Sequence, residues 1–136
     1  MITEDQLLPL FMEACPSLIP GFKERQEYYY GDGPYPCLEL SQFANDFVAM
    51  QRQNKTKELD AGFAVIERLY VEGDKEVQET VTWCFLEDFV FETNTCQIDP
   101  KAFAPYVRPA TRMHWEEMKR YWPIEAFVGQ PERGSA

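Results

Sequence analysis

One histidine, four cysteines and 23 carboxylates are the groups with which this chain could do chemistry. His114 with any of Cys15, Cys37, Cys84 or Cys96 would make a thiolate–imidazole couple for nucleophilic catalysis. With four candidates for one partner, the pattern has almost no specificity. Carboxylates this abundant could form a glycosidase-type pair or a divalent-cation site, yet no loop carries the D-x-[DN]-x-[DN]-G spacing. Phosphate-cradling glycine loops, a G-x-S-x-G elbow and H-E-x-x-H are all missing from the sequence. No catalytic residue, metal ligand or cofactor-binding residue is therefore assigned. An enzyme using a carboxylate pair or a Cys–His couple ranks third among the functional readings.

The distribution of charge says more. Formal net charge is −10, and it is concentrated. Between residues 58 and 99 stand Glu58, Asp60, Glu67, Glu72, Asp74, Glu76, Glu79, Glu87, Asp88, Glu92 and Asp99, against only Arg68 and Lys75. A compact acidic surface repels nucleic acid and anionic lipid and attracts basic proteins. The expected partner is thus a protein with a basic surface, with no nucleic acid and no membrane.

Inside this region, helical geometry puts Glu76, Glu79, Trp83 and Glu87 on one arc, roughly opposite Phe85. A rigid aromatic anchor ringed by steering charges is the composition of a binding hot spot. The competing reading packs Trp83 beneath another helix with the acids flanking it. Asp88 falls near Val77, Val81 and Cys84 on the buried side, where an unpaired carboxylate is costly. Upstream, Tyr28-Tyr29-Tyr30 precedes Gly31-Asp32-Gly33-Pro34. With only Lys23 and Arg25 nearby, this aromatic run suits a protein contact better than stacked bases. The candidate partner-binding residues are Glu72, Glu76, Glu79, Trp83 and Glu87, with Tyr29 and Asp32.

The elements that must carry these residues are helical. Thr3 and Gln6 read as a capping box ahead of an apolar face of Leu7, Leu8, Phe11, Met12 and Cys15. Pro9 is too deep for that start, so the helix is expected to slip towards Asp5. Pro16 and Pro20 bracket a break before a helix from Phe22 to Tyr30. After the glycine- and proline-rich loop, Leu40, Phe43, Ala44, Phe47 and Val48 repeat at helical spacing. Leu59, Phe63, Ile66 and Tyr70 form the next stripe, which Gly73 ends and Asp74 follows as an N-cap. Val77, Val81, Cys84 and Phe85 continue the buried face, making an antiparallel helical hairpin. The β-rich run from Thr80 to Phe91 is where a strand would most readily replace helix. Asp99-Pro100 starts a short helix through Phe103 and Tyr106, and Pro109 opens the last one, with Thr111, Trp115, Met118 and Trp122 on one face.

The expected fold class is all-α: a single domain of six to seven helices over residues 1–128, then a flexible tail over 129–136. Hydrophobic residues at 45% supply the core that the charge alone would deny it. The acidic N-terminus has no base and only a short apolar run, so it reads as neither a secretory signal nor a transit peptide. No uncharged apolar run reaches membrane-spanning length. The four cysteines form no C-x-x-C pair and are expected to be reduced, mostly buried thiols in a cytoplasmic protein.

Several of these segments resemble a family of small, acidic, uncharacterised bacterial helical proteins. The matching pieces are Ala14-Cys15-Pro16 and the run Phe63, Ile66-Glu67-Arg68-Leu69, Val71-Glu72-Gly73-Asp74 and Val77. They continue with Phe85-Leu86-Glu87-Asp88, then Asp99, Phe103 and Pro105, and the tryptophans Trp115 and Trp122. The resemblance spans nearly the whole chain on helix-hairpin motifs of modest specificity, and it carries no catalytic residues. It implies an all-helical, HEAT-like fold and the role of an immunity protein encoded beside a secreted toxin. On that reading the partner is a cognate toxin domain, a nuclease or nucleotide-modifying enzyme, bound through the acidic helical face. The alternative is a helical adaptor or regulator that binds a basic segment. The tyrosine run and the glycine- and proline-rich loop lie outside the resembling pattern.

Overall fold

The computed structural model describes residues 1–29 and 33–118. A 3-10 turn, Glu4–Gln6, leads into α1 (Leu7–Ala14), and a second, Pro16–Leu18, leads into α2 (Ile19–Tyr29). Then come α3 (Pro36–Arg52), α4 (Thr56–Glu72) and α5 (Lys75–Thr80). A π-helical segment, Val81–Leu86, joins α5 to α6 (Glu87–Thr95). A 3-10 stretch, Pro100–Tyr106, precedes α7 (Pro109–Met118). The fold is all-α, with seven α-helices and no strand among the described residues. None of the described helices is long and apolar enough to cross a membrane. The expected tail, 129–136, and Trp122 lie outside the described residues.

Local chemistry explains most boundaries. Gln6 Oε1 accepts the Thr3 N–H at 2.8 Å, and α1 begins only at Leu7, which leaves Pro9 in the first turn. Pro20 likewise sits in the first turn of α2, so the expected break is a 3-10 turn running into the helix. Asp74 Oδ1 accepts the Val77 N–H at 2.8 Å and opens α5. Gly73 ends α4 in an extended conformation, with φ −75° and ψ 154°. Close approach requires glycine there, because a Cβ would stand 2.3 Å from the Leu69 carbonyl oxygen. Ile2 pairs with the same turn: its N–H donates to the Glu72 carbonyl at 2.9 Å and its carbonyl accepts the Asp74 N–H at 3.0 Å.

Phenylalanine and leucine each supply seven of the buried core residues among those described. Phe11, Phe43, Phe47, Phe63, Phe85, Phe89 and Phe103 are fully buried. Phe47 meets Phe85 edge-on at 5.0 Å, and Phe89 meets Phe103 at 4.7 Å, the tilted geometries that ring quadrupoles favour. Gly62 makes room for this layer, since a Cβ would lie 2.4 Å from the Phe47 ring.

Two expectations fail for physical reasons. The π segment widens the helix and shifts its register. Cys84, Phe85 and Leu86 are buried in succession, and Phe89 and Val90 continue the core. Asp88, expected on the buried side with Val77 and Val81, is consequently only half-buried. The thiols are also not all reduced: Cys37 and Cys84 form a disulfide, with Cα atoms 5.1 Å apart. The start of α3 packs on the π segment and brings the pair within bonding range, although 47 positions separate them in sequence. Cys15 and Cys96 are free. Burial, with Glu58 nearby, pushes the Cys15 thiol up to about 12 and leaves it inert at neutral pH.

The charges beneath the surface give the fold a defined pH response. Burial, tempered by Arg25 and reinforced by Glu39, pushes Asp46 up to about 6. A raised carboxyl pKa means that the folded chain holds this proton more tightly than the unfolded one. Its contribution is present at pH 4 and lost as pH rises through 6. Glu58 and Glu67 act in the opposite sense. Burial opposes their charge, but the Ser17 and Lys55 groups around Glu58, and the Thr111, Ala110 and Arg108 groups around Glu67, outweigh it. Both are held below the usual carboxylate range, so their contribution fails as pH falls below that range. Asp46→Asn is expected to raise stability at pH 7.5 by about 1 kcal/mol, a figure reduced for partial solvent exposure, and to give no gain at pH 4. Urea unfolding at the two pH values measures this, and an equal effect at both would overturn it.

Candidate functional site

The acidic region of the sequence is spread over several faces of the fold. Many of its acids bond to neighbouring groups of the fold. Glu67 accepts the Ala110 and Thr111 N–H groups and the Thr111 hydroxyl, each at 2.9 Å, and so caps α7 from α4. Glu58 accepts the Ser17 N–H at 2.9 Å and its hydroxyl at 2.6 Å. Asp60 pairs with Arg108 at 3.1 Å and Glu72 with Arg68 at 3.2 Å. Asp74 and Asp99 cap their own helices, and Glu92 accepts the Cys96 thiol. Glu76, Glu79, Glu87 and Asp88 all lie on the continuous α5–π–α6 helix, where the Glu4 side chain meets Glu76.

On that helix Glu76 and Glu79 are exposed, Glu87 is half-buried, and Trp83 is 44% exposed. A recess of about 200 Å³ adjoins it, bordered by Lys75, Gln78, Glu79, Thr82, Trp83 and His114. Two of its bordering residues, Thr82 and His114, both contact Tyr70. Thr82 Oγ1 and the Tyr70 hydroxyl are 2.8 Å apart, and the His114 ring stacks on Tyr70 at 3.9 Å. Burial holds His114 below its usual value, which favours the neutral ring at physiological pH.

The predicted residues therefore separate. Glu79 and Trp83 border one recess, Glu76 is exposed nearby on α5, and Glu87 lies further along the same helix. Glu72 is exposed on α4 but engaged by Arg68. Asp32 and the side chain of Tyr29 lie outside what the structure describes, while neighbouring Tyr28 is 75% exposed. The periodicity of α7 could not reveal His114 as part of the surround, because its contact is with Tyr70 on another helix.

A family model described as a domain of unknown function, DUF7674, matches residues 8–123. The chain belongs to the DUF7674 family. The match begins within α1 and runs past α7, so the hairpin and the Trp83 face both lie inside the DUF7674 domain. No curated protein and no solved structure matches the chain.

Proposed function

We propose that this DUF7674 domain is a protein-binding module that captures a basic partner through the face bearing Glu76, Glu79 and Trp83. The observation that supports it most is Trp83 standing half in solvent on the α5–π segment, whose other exposed residues are Glu76, Glu79 and a single base, Lys75. A partly buried indole needs less ordering on binding than a fully exposed side chain, and the flanking charges speed encounter with a basic surface. In its most specific form, the partner is a toxin domain and the chain is its bacterial immunity protein. The second form is an adaptor for a basic segment of a non-toxin protein. A cytoplasmic site of action belongs to the proposal for the reduced chain, because cytosolic thiol systems keep cysteines reduced; the bonded form suits an oxidising compartment.

The test pairs the chain with the product of its neighbouring gene. Trp83→Ala should weaken that complex by about 2 kcal/mol or more while changing stability by under ~1 kcal/mol, as expected for an exposed anchor. Charge reversal at Glu76, Glu79 and Glu87 should slow association about tenfold and remove most of its salt dependence. Protection of cells from the partner's toxicity identifies an immunity protein, and binding without protection identifies an adaptor. An association rate indifferent to salt and to charge reversal removes the acidic face from the mechanism.

A further inference from the structure

A second concavity lies on the other side of α5, built by segments far apart in sequence. Leu8 and Met12 of α1, Phe22 of α2 and Pro34 ahead of α3 supply its apolar wall. Its volume is about 880 Å³, within the size range of sites that enclose a ligand or a run of side chains. Glu4, Asp5, Asp74 and Glu76 stand along its rim, and among its described lining residues none is a Lys or Arg. Burial, with the Glu76 carboxylate against it and Asp74 beyond, pushes Glu4 above the usual carboxylate range. A cation placed at this rim would relieve the repulsion among these carboxylates.

We infer that this groove receives a peptide segment of a basic partner, one that sets a Lys or Arg beside large apolar side chains. The apolar wall takes the hydrophobic side chains and the stems of the basic ones, while the charged heads reach the carboxylates at the rim. Both halves of the site are needed. The apolar wall alone would accept any hydrophobic segment, and the rim alone is a solvated acidic edge. Their juxtaposition selects against acidic and purely polar segments, because an acid at the rim would face four carboxylates. The inference rests on the proposed capture of a basic partner and gives it a second point of contact, joined to the Trp83 face through Glu76.

Fluorescence anisotropy with a labelled peptide of alternating Leu and Arg, using the full chain, tests it directly. Saturable binding is expected, falling about tenfold between low and physiological salt. Peptides in which Glu or Ser replaces each Arg should not bind measurably. Amide shifts on titration should centre on residues 3–12 and 74–76. Met12→Arg, which places a cation in the apolar wall, and the double variant Glu4→Gln, Glu76→Gln should each weaken binding about tenfold. Thermal melts of both variants establish that they fold. Trp83→Ala should leave this peptide's affinity unchanged. No saturable binding, equal binding of the Glu peptide, or full affinity in folded groove variants would overturn the inference. Shifts confined to residues 75–83, with affinity lost in Trp83→Ala, would also overturn it but leave the basic-partner reading intact.

Discussion

Reduction of the Cys37–Cys84 bond should lower the stability of the fold by about 4 kcal/mol, the chain-entropy value for a loop of this length. The bond ties the first turn of α3 to the π segment, so it encloses α3, α4 and α5 in one covalent ring. The unfolded chain loses much of its conformational freedom by that closure, and the folded chain loses almost none. Urea unfolding with and without dithiothreitol should show the difference, with the melting temperature falling by roughly 10–20 °C. Replacing both cysteines with alanine should reproduce most of the loss and abolish the response to reductant. Identical unfolding curves under oxidising and reducing conditions would mean that the bond contributes nothing. Because Trp83 precedes Cys84, and Pro34 and Pro36 precede Cys37, reduction also frees the backbone beside both proposed contact surfaces.

The second large effect concerns a pair inside the fold. Glu39 is fully buried, and Arg25 reaches it with two nitrogens at 2.7–3.1 Å. Gly21 leaves the space: a Cβ there would stand 3.0 Å from Arg25 Nη1. Arg25→Met should cost about 3–5 kcal/mol, since a buried carboxylate left without its cation is among the most destabilising single changes. Adding Glu39→Met should restore most of the loss, because the Coulombic gain of a buried pair roughly offsets its desolvation. Chemical denaturation of the two single variants and the double variant completes the cycle. A double variant as unstable as Arg25→Met alone would show that the arginine acts through contacts other than Glu39.

What was legible in the sequence follows the range of each interaction. The stripe Leu40, Phe43, Ala44, Phe47 and Val48 is written at helical spacing within nine residues, and all five are buried in α3. Asp74 and Asp99 declare themselves as caps because their targets lie two or three residues on. The helix caps provided by Glu67 and Glu58 span more than forty positions, so nothing local separates them from Glu76 and Glu79. A count of acids therefore overstates the charge left for a partner. The disulfide was invisible for the same reason. The π segment defeated the reading differently: a 3.6-residue period carried through Val81–Leu86 keeps Val77, Val81, Cys84 and Phe85 correct but misplaces Asp88. The apolar groove joins four helices and a loop, a juxtaposition no single stripe encodes.

The stitch that Ile2 makes into the Gly73 turn has a consequence for any polypeptide joined ahead of Met1. Such a segment leaves the fold beside Thr3, Glu4 and Asp5, at the mouth of the groove. A basic peptide attached there through a short flexible linker would meet the rim at an effective concentration of roughly millimolar, and so would occupy the site even if its affinity in free solution were weak. The same tether would make that peptide a competitor in cis, shielding the groove from a partner arriving in trans.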